Sequence, residues 1–227
     1  TEIYEENEHG LKGIKGQSPL RSPETKAISD DEHFDKIAQE LTEAEGVKVS
    51  VEEIKEVLLL PWQRTVAGTP ESLHLQAISA RTFGHSVTYH LEEKLEAVDI
   101  QWDFLYPMGA IYNNTQDYLK EKGYAETDTI ELYHPFFPTS GPAKQWSEGD
   151  EVRIATNPLT SWTTDIQEAA TFARFLASPG SPTFVLKSYL PIKSIISVPA
   201  VGFGMPDTGE VVPAGGEYMA IVELKFE

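Results

Sequence analysis

Residues 157–176 read Asn-Pro-Leu-Thr-Ser-Trp-Thr-Thr-Asp-Ile-Gln-Glu-Ala-Ala-Thr-Phe-Ala-Arg-Phe-Leu. Asp165 stands three residues before Glu168, the pattern that opens a helix. Ile166, Ala169, Ala170, Ala173 and Leu176 then fall on one face at helical spacing. Capping falls to Thr164 or Asp165, which leaves Ser161 free for other work. Strand signals surround this unit. Residues 129–133 and 151–155 precede it, and 183–189, 192–198 and 217–226 follow. Pro135, Pro138, Gly141 and Pro142 mark a loop, and a Gly/Pro-rich stretch over 199–216 leads into the last strand.

The half before residue 106 differs. Residues 1–28 carry Gly, Pro, Ser and charge without an apolar period, and read as a linker or arm. Ser29 with Glu32, and Ser50 with Glu53, spell two capping boxes before Phe34, Ile37, Ala38 and Leu41, and before Ile54, Val57 and Leu58. Residues 71–98 have helical character with a break at Gly84. Met108, Ile111, Tyr112, Thr115, Tyr118 and Leu119 share one helix face, and Gly123 suits the terminus. The expected class is α+β. Residues 29–105 form a helical region without an assigned role, and 106–227 form a β-rich domain.

The 227 residues hold 18 Lys and Arg against 36 Asp and Glu, a net charge of −18. That charge argues against a nucleic-acid partner, whose phosphates reward basic surfaces. It also argues against docking on anionic lipid. No cysteine is present, so disulfides, thiolate metal sites and cysteine nucleophiles are excluded. No apolar run reaches the ~18–20 residues of a membrane span. The acidic opening is unlike a signal peptide, and the first residue is Thr1, as in a processed chain or a piece of a larger protein.

Familiar catalytic signatures are missing: no G-x-S-x-G, no P-loop, no G-x-G-x-x-G. His85 and His90 lack metal-ligand spacing, so no metal is expected. The Asn113-Asn114-Thr115 sequon falls mid-helix and reads as chance.

One ordered set remains: a strand ending at His134, then Ser161-Trp162-Thr163 before a helix, then Glu217 opening a strand after the Gly/Pro-rich stretch. This order resembles the mono-ADP-ribosyltransferase toxins of the arginine–serine–glutamate class, in their bacterial and phage-encoded form. The resemblance covers about residues 106–226 and implies a split β-sandwich. It implies NAD as co-substrate, cleavage of the nicotinamide–ribose bond, and transfer of ADP-ribose to a macromolecular target, a protein. Glu217 then takes the catalytic place, oriented by Ser161, and His134, Ser161, Trp162 and Thr163 line the cofactor site. An immunity or carrier protein would be a further partner. Delivery into a target cell, or carriage on a phage particle, would fit such an effector.

Three departures accompany the resemblance. His134 stands where the class has arginine, and Pro135 where it has a small residue whose backbone holds the nicotinamide amide. A histidine can hydrogen-bond a ribose hydroxyl instead, as in the related class with a first-strand histidine. Gly215, two before Glu217, is neither Glu nor Gln, so arginine is not the favoured acceptor. Arg153 and Arg174 are ordinary surface charges or stand-ins for the missing phosphate contact. The alternative is the same fold with a disabled pocket, acting as a binding module through protein contacts.

The chemistry explains the residue types. Breaking the nicotinamide–ribose bond builds oxocarbenium-like charge, which a nearby carboxylate stabilises. Glu217 serves that purpose only if it faces Ser161; otherwise it is a solvated strand-end glutamate. Trp162 reads as core or as a stacking platform.

Overall fold

The computed structural model describes residues 70–83, 105–138, 142–177, 181–199 and 209–227 continuously. Before residue 70 it describes two short strands, β1 (Tyr4–Glu6) and β2 (Lys12–Ile14), which pair antiparallel, and scattered positions between 35 and 54. The Ser29–Glu32 box, His85 and His90 lie outside the described residues.

The second capping box forms as its spacing predicts. The Ser50 N–H and hydroxyl both donate to Glu53, at 2.8 and 2.9 Å, and the Glu53 N–H donates to Ser50 Oγ at 3.2 Å. These bonds hold the Glu53 carboxyl below its ordinary pKa. They open α1 (Val51–Ile54). Helix α2 (Pro70–Phe83) buries Leu75, Ala77 and Ile78, and the expected break at Gly84 lies outside the described residues. Helix α3 (Leu105–Glu121) buries Met108, Ile111, Thr115 and Leu119, the face read from the sequence. Gly123 terminates it at φ +93°, a left-handed position that favours glycine. The sequon's Thr115 is fully buried.

Seven antiparallel strands form one sheet: β3 (Thr129–Phe136), β4 (Glu151–Thr156), β5 (Trp162–Thr163), β6 (Thr183–Pro191), β7 (Ile195–Ser197), β8 (Glu210–Pro213) and β9 (Gly216–Phe226). Their order is β4-β9-β6-β3-β5-β8-β7. With the helices this is an α+β architecture. Two details differ from the sequence reading. Residues 192–194 form a 3-10 turn before β7, because Pro191 interrupts the strand. Strand β8 lies inside the stretch read as Gly/Pro-rich loop. Val211 and Val212 are its only β-branched pair, and Pro213 cuts the signal short.

The sheet is pinched at β5. That strand has two residues and meets β3 through the single pair Tyr133↔Thr163. It meets β8 through Trp162↔Val211 and Thr163↔Glu210. The sheet is also folded over. Strands β8 and β9 are four places apart, about 19 Å in a flat sheet. Yet Pro213 and Gly216 are joined through Ala214 and Gly215 alone, a reach of about 11 Å. The narrow half therefore closes over the wide half at this end. Trp162 and Val211 from one half share a core with Ala220 and Val222 from the other.

Helix α4 (Ile166–Leu176) begins at Asp165, whose carboxylate accepts from the Gln167 N–H at 2.8 Å. Ala169, Ala170 and Ala173 are buried against Val185. Their small side chains let the helix lie close to the sheet. No described helix is long and apolar enough to cross a membrane.

Candidate functional site

The pinch sets the site. The pairs Tyr133↔Thr163 and Thr163↔Glu210 align three strands, and the next residue along β3 is His134. Its ring stacks on Trp162, with centroids 5.0 Å apart and planes 30° apart. Tyr218 meets the same indole edge-on at 6.1 Å. Trp162 is 1% exposed and belongs to the core, so its stacking partner is the imidazole. Its Nε1 has no hydrogen-bond partner among the described residues.

His134 Nδ1 lies 3.0 Å from the Ser161 carbonyl oxygen. A carbonyl only accepts, so Nδ1 carries the proton and donates it. Burial of the ring brings its pKa down from 6.5 to about 4, against the opposing pull of this hydrogen bond. The imidazole is neutral at physiological pH, and its Nε2 keeps a lone pair. Burial also raises the Tyr218 hydroxyl to about 12, and that hydroxyl donates to the Ala214 carbonyl.

Ser161 makes the second link. Its hydroxyl donates to Glu210 Oε1. Backbone carbonyl and side chain of one residue thus connect His134 to a carboxylate. The expected partnership of Ser161 with Glu217 is not formed. Glu217 lies on β9 and pairs with Arg153 of β4, and both side chains are largely exposed, at 52% and 71%. The cause is β8. It supplies a glutamate next to Ser161, and β9 begins only after a further turn. A sequence cue for Glu210 exists: inside the Gly/Pro-rich stretch it stands immediately before a β-branched pair, Val211-Val212.

The remaining expected residues are placed as follows. Thr163 is buried, and its Oγ1 accepts from the Asp165 N–H at 3.0 Å, so it supports the start of α4. Arg153 is engaged by Glu217, and Arg174 lies 5.0 Å from the Phe226 ring. Pro135 stands opposite Val185 within β3. A surface depression lined by Glu151, Lys187, Tyr189 and Met219 lies elsewhere, on β4, β6 and β9. Among the described residues no cluster of three His, Asp or Glu could hold a metal ion.

No family model, curated protein or solved structure matches the chain. The site's chemistry rests on its own geometry.

The segment before Ser161 is unusual. The Asn157 carbonyl accepts from the Thr160 N–H at 3.3 Å and from its hydroxyl at 2.8 Å, closing a turn over Pro158 and Leu159. Leu159 has φ +62° and is 2% exposed. Proline followed by a positive φ is the type II pattern, whose second central position favours glycine. Holding leucine there costs about 1–3 kcal/mol of backbone strain. Burial of its side chain offsets part of that cost.

Proposed function

We propose that the chain is an NAD-dependent mono-ADP-ribosyltransferase in which Glu210 takes the catalytic place first expected for Glu217. The hydrogen bond from Ser161 to Glu210 carries this reading. It joins Ser-x-Thr ahead of a helix to a glutamate that opens a strand within the Gly/Pro-rich stretch, in an order similar to that of the resembled class. The pinched, folded-over sheet supports the finer assignment to a split β-sandwich. The reading names NAD as co-substrate and a protein as the macromolecular target. Effector delivery, and an immunity or carrier partner, belong to the same proposal.

The residues present fit the dinucleotide's sugar end. The nicotinamide–ribose bond breaks with its electron pair leaving on nicotinamide, and the ribose carbon gains positive character. Glu210 offers negative charge to that centre. Ser161 fixes the carboxylate by hydrogen bonding one oxygen. His134 Nε2 can accept from a ribose hydroxyl, because Nδ1 already carries the proton. Pro135 has no N–H to donate and retains only its carbonyl for the carboxamide. The acceptor then bonds to the ribose carbon and loses a proton to solvent. With Glu210 as the carboxylate, the residue two before it is Thr208, again neither Glu nor Gln. Arginine therefore stays disfavoured as acceptor.

Pro135 also favours a second reading, a binding module with a disabled pocket. Nicotinamide release by the purified chain, with calorimetry against NAD, separates the two. Release supports the transferase. If the native chain neither releases nicotinamide nor binds NAD at millimolar concentration, the binding module stands.

A further inference from the structure

We propose that Leu159 and Gly215 are positioning residues that set Ser161 on Glu210; their catalytic importance rests on the transferase reading above. The loop carrying Ser161 is gripped from two sides. On one side the turn at Pro158 and Leu159 closes on the Asn157 carbonyl. The strained Leu159 backbone is retained with its side chain buried, so the side chain anchors the loop two residues before Ser161.

On the other side lies the β8–β9 turn. A Cβ built on Gly215 would stand 2.6 Å from Pro158 N, 2.8 Å from Asn157 C and 2.9 Å from Asn157 O. All three are backbone atoms and cannot swing aside. Glycine at 215 therefore reflects close approach of two backbones. The glycine at 215, a departure from the resembled pattern, thus has a steric explanation. The same turn follows β8, whose first residue is Glu210. The contact thus fixes the loop that carries the hydroxyl against the hairpin that carries the carboxylate. Tyr218 secures the hairpin by donating to the Ala214 carbonyl.

The test uses Gly215→Ala, Leu159→Gly and Leu159→Met in the full chain. Nitrogen–proton NMR correlations of the His134 ring report whether the Ser161 carbonyl still holds the Nδ1–H tautomer. Circular dichroism checks that each variant is folded. Gly215→Ala should displace the loop, shift the ring toward a mixture of tautomers, and lower kcat for nicotinamide release by about tenfold or more, with KM changing less. Leu159→Gly fits the positive φ but lacks the anchor, so it should do the same. Leu159→Met keeps a buried apolar anchor and should behave as the native chain. A folded Gly215→Ala chain with a native tautomer overturns the proposal, as does a native tautomer in folded Leu159→Gly. The tautomer readout needs no turnover. A native chain that releases no nicotinamide therefore defeats the transferase reading while the positioning claim is still decided.

Discussion

Ser161 donates its hydroxyl to Glu210 across 49 positions of sequence, and Glu217 pairs instead with Arg153. The two glutamates therefore make opposite forecasts. Glu210→Gln keeps the shape and a hydrogen-bonding oxygen but removes the charge. Nicotinamide release should fall by about 10²–10³-fold, the scale for losing one electrostatic group at a reacting centre. Glu217→Gln loses an exposed ion pair and should leave release within about twofold, since such pairs contribute little. Equal loss in both variants would remove the assignment.

His134 gives a pH forecast. Between its ordinary pKa of 6.5 and the folded value of about 4, the unfolded chain binds a proton that the folded chain does not. The stability from this group is present above pH 6.5 and is lost as pH falls toward 4. In His134→Gln that component should vanish. Urea midpoints measured across this window should fall less steeply for the variant than for the native chain, and parallel profiles would contradict the depressed pKa.

Trp162 is the largest fully buried side chain at the site. Trp162→Ala should cost about 3–5 kcal/mol in a denaturant titration, the usual range for removing a buried indole. Trp162→Phe should cost less than half as much. It retains a ring for His134 and forfeits no hydrogen bond to the described residues, among which Nε1 has no partner.

Asp165 caps α4 through the Gln167 N–H. Asp165→Ala should lower stability by about 1 kcal/mol. Asp165→Asn keeps an accepting oxygen and should recover most of that in the same titration.

The fold was legible where local chemistry was repetitive. The faces of α3 and α4 follow helical spacing, and β3, β4, β6 and β9 follow alternation or β-branched runs. Strands β5 and β8 were not legible. Each is too short to carry a period, and their pairing depends on a fold-over that no local window contains. That blind spot fell on the site. Ser161 and His134 were readable as members of an ordered set. The sequence points to Glu217 because the Gly/Pro-rich stretch reads as unbroken to residue 216, whereas the Ser161 hydroxyl bonds Glu210. Recognising Val211-Val212 as a strand would have put Glu210 at its start.

The place of β9 in the sheet has a consequence for synthesis. Among the described strands β4 pairs with β9 alone, and β9 also flanks β6. Yet β9 comes after every other described strand. A chain emerging in order from its N-terminus must hold Val152 and Ile154 of β4 without their final neighbour until residues 216–226 are made. For that interval β4 is an unpaired edge, open to other chains. Synthesis of residues 216–226, more than helix formation, should therefore time the appearance of the native sheet.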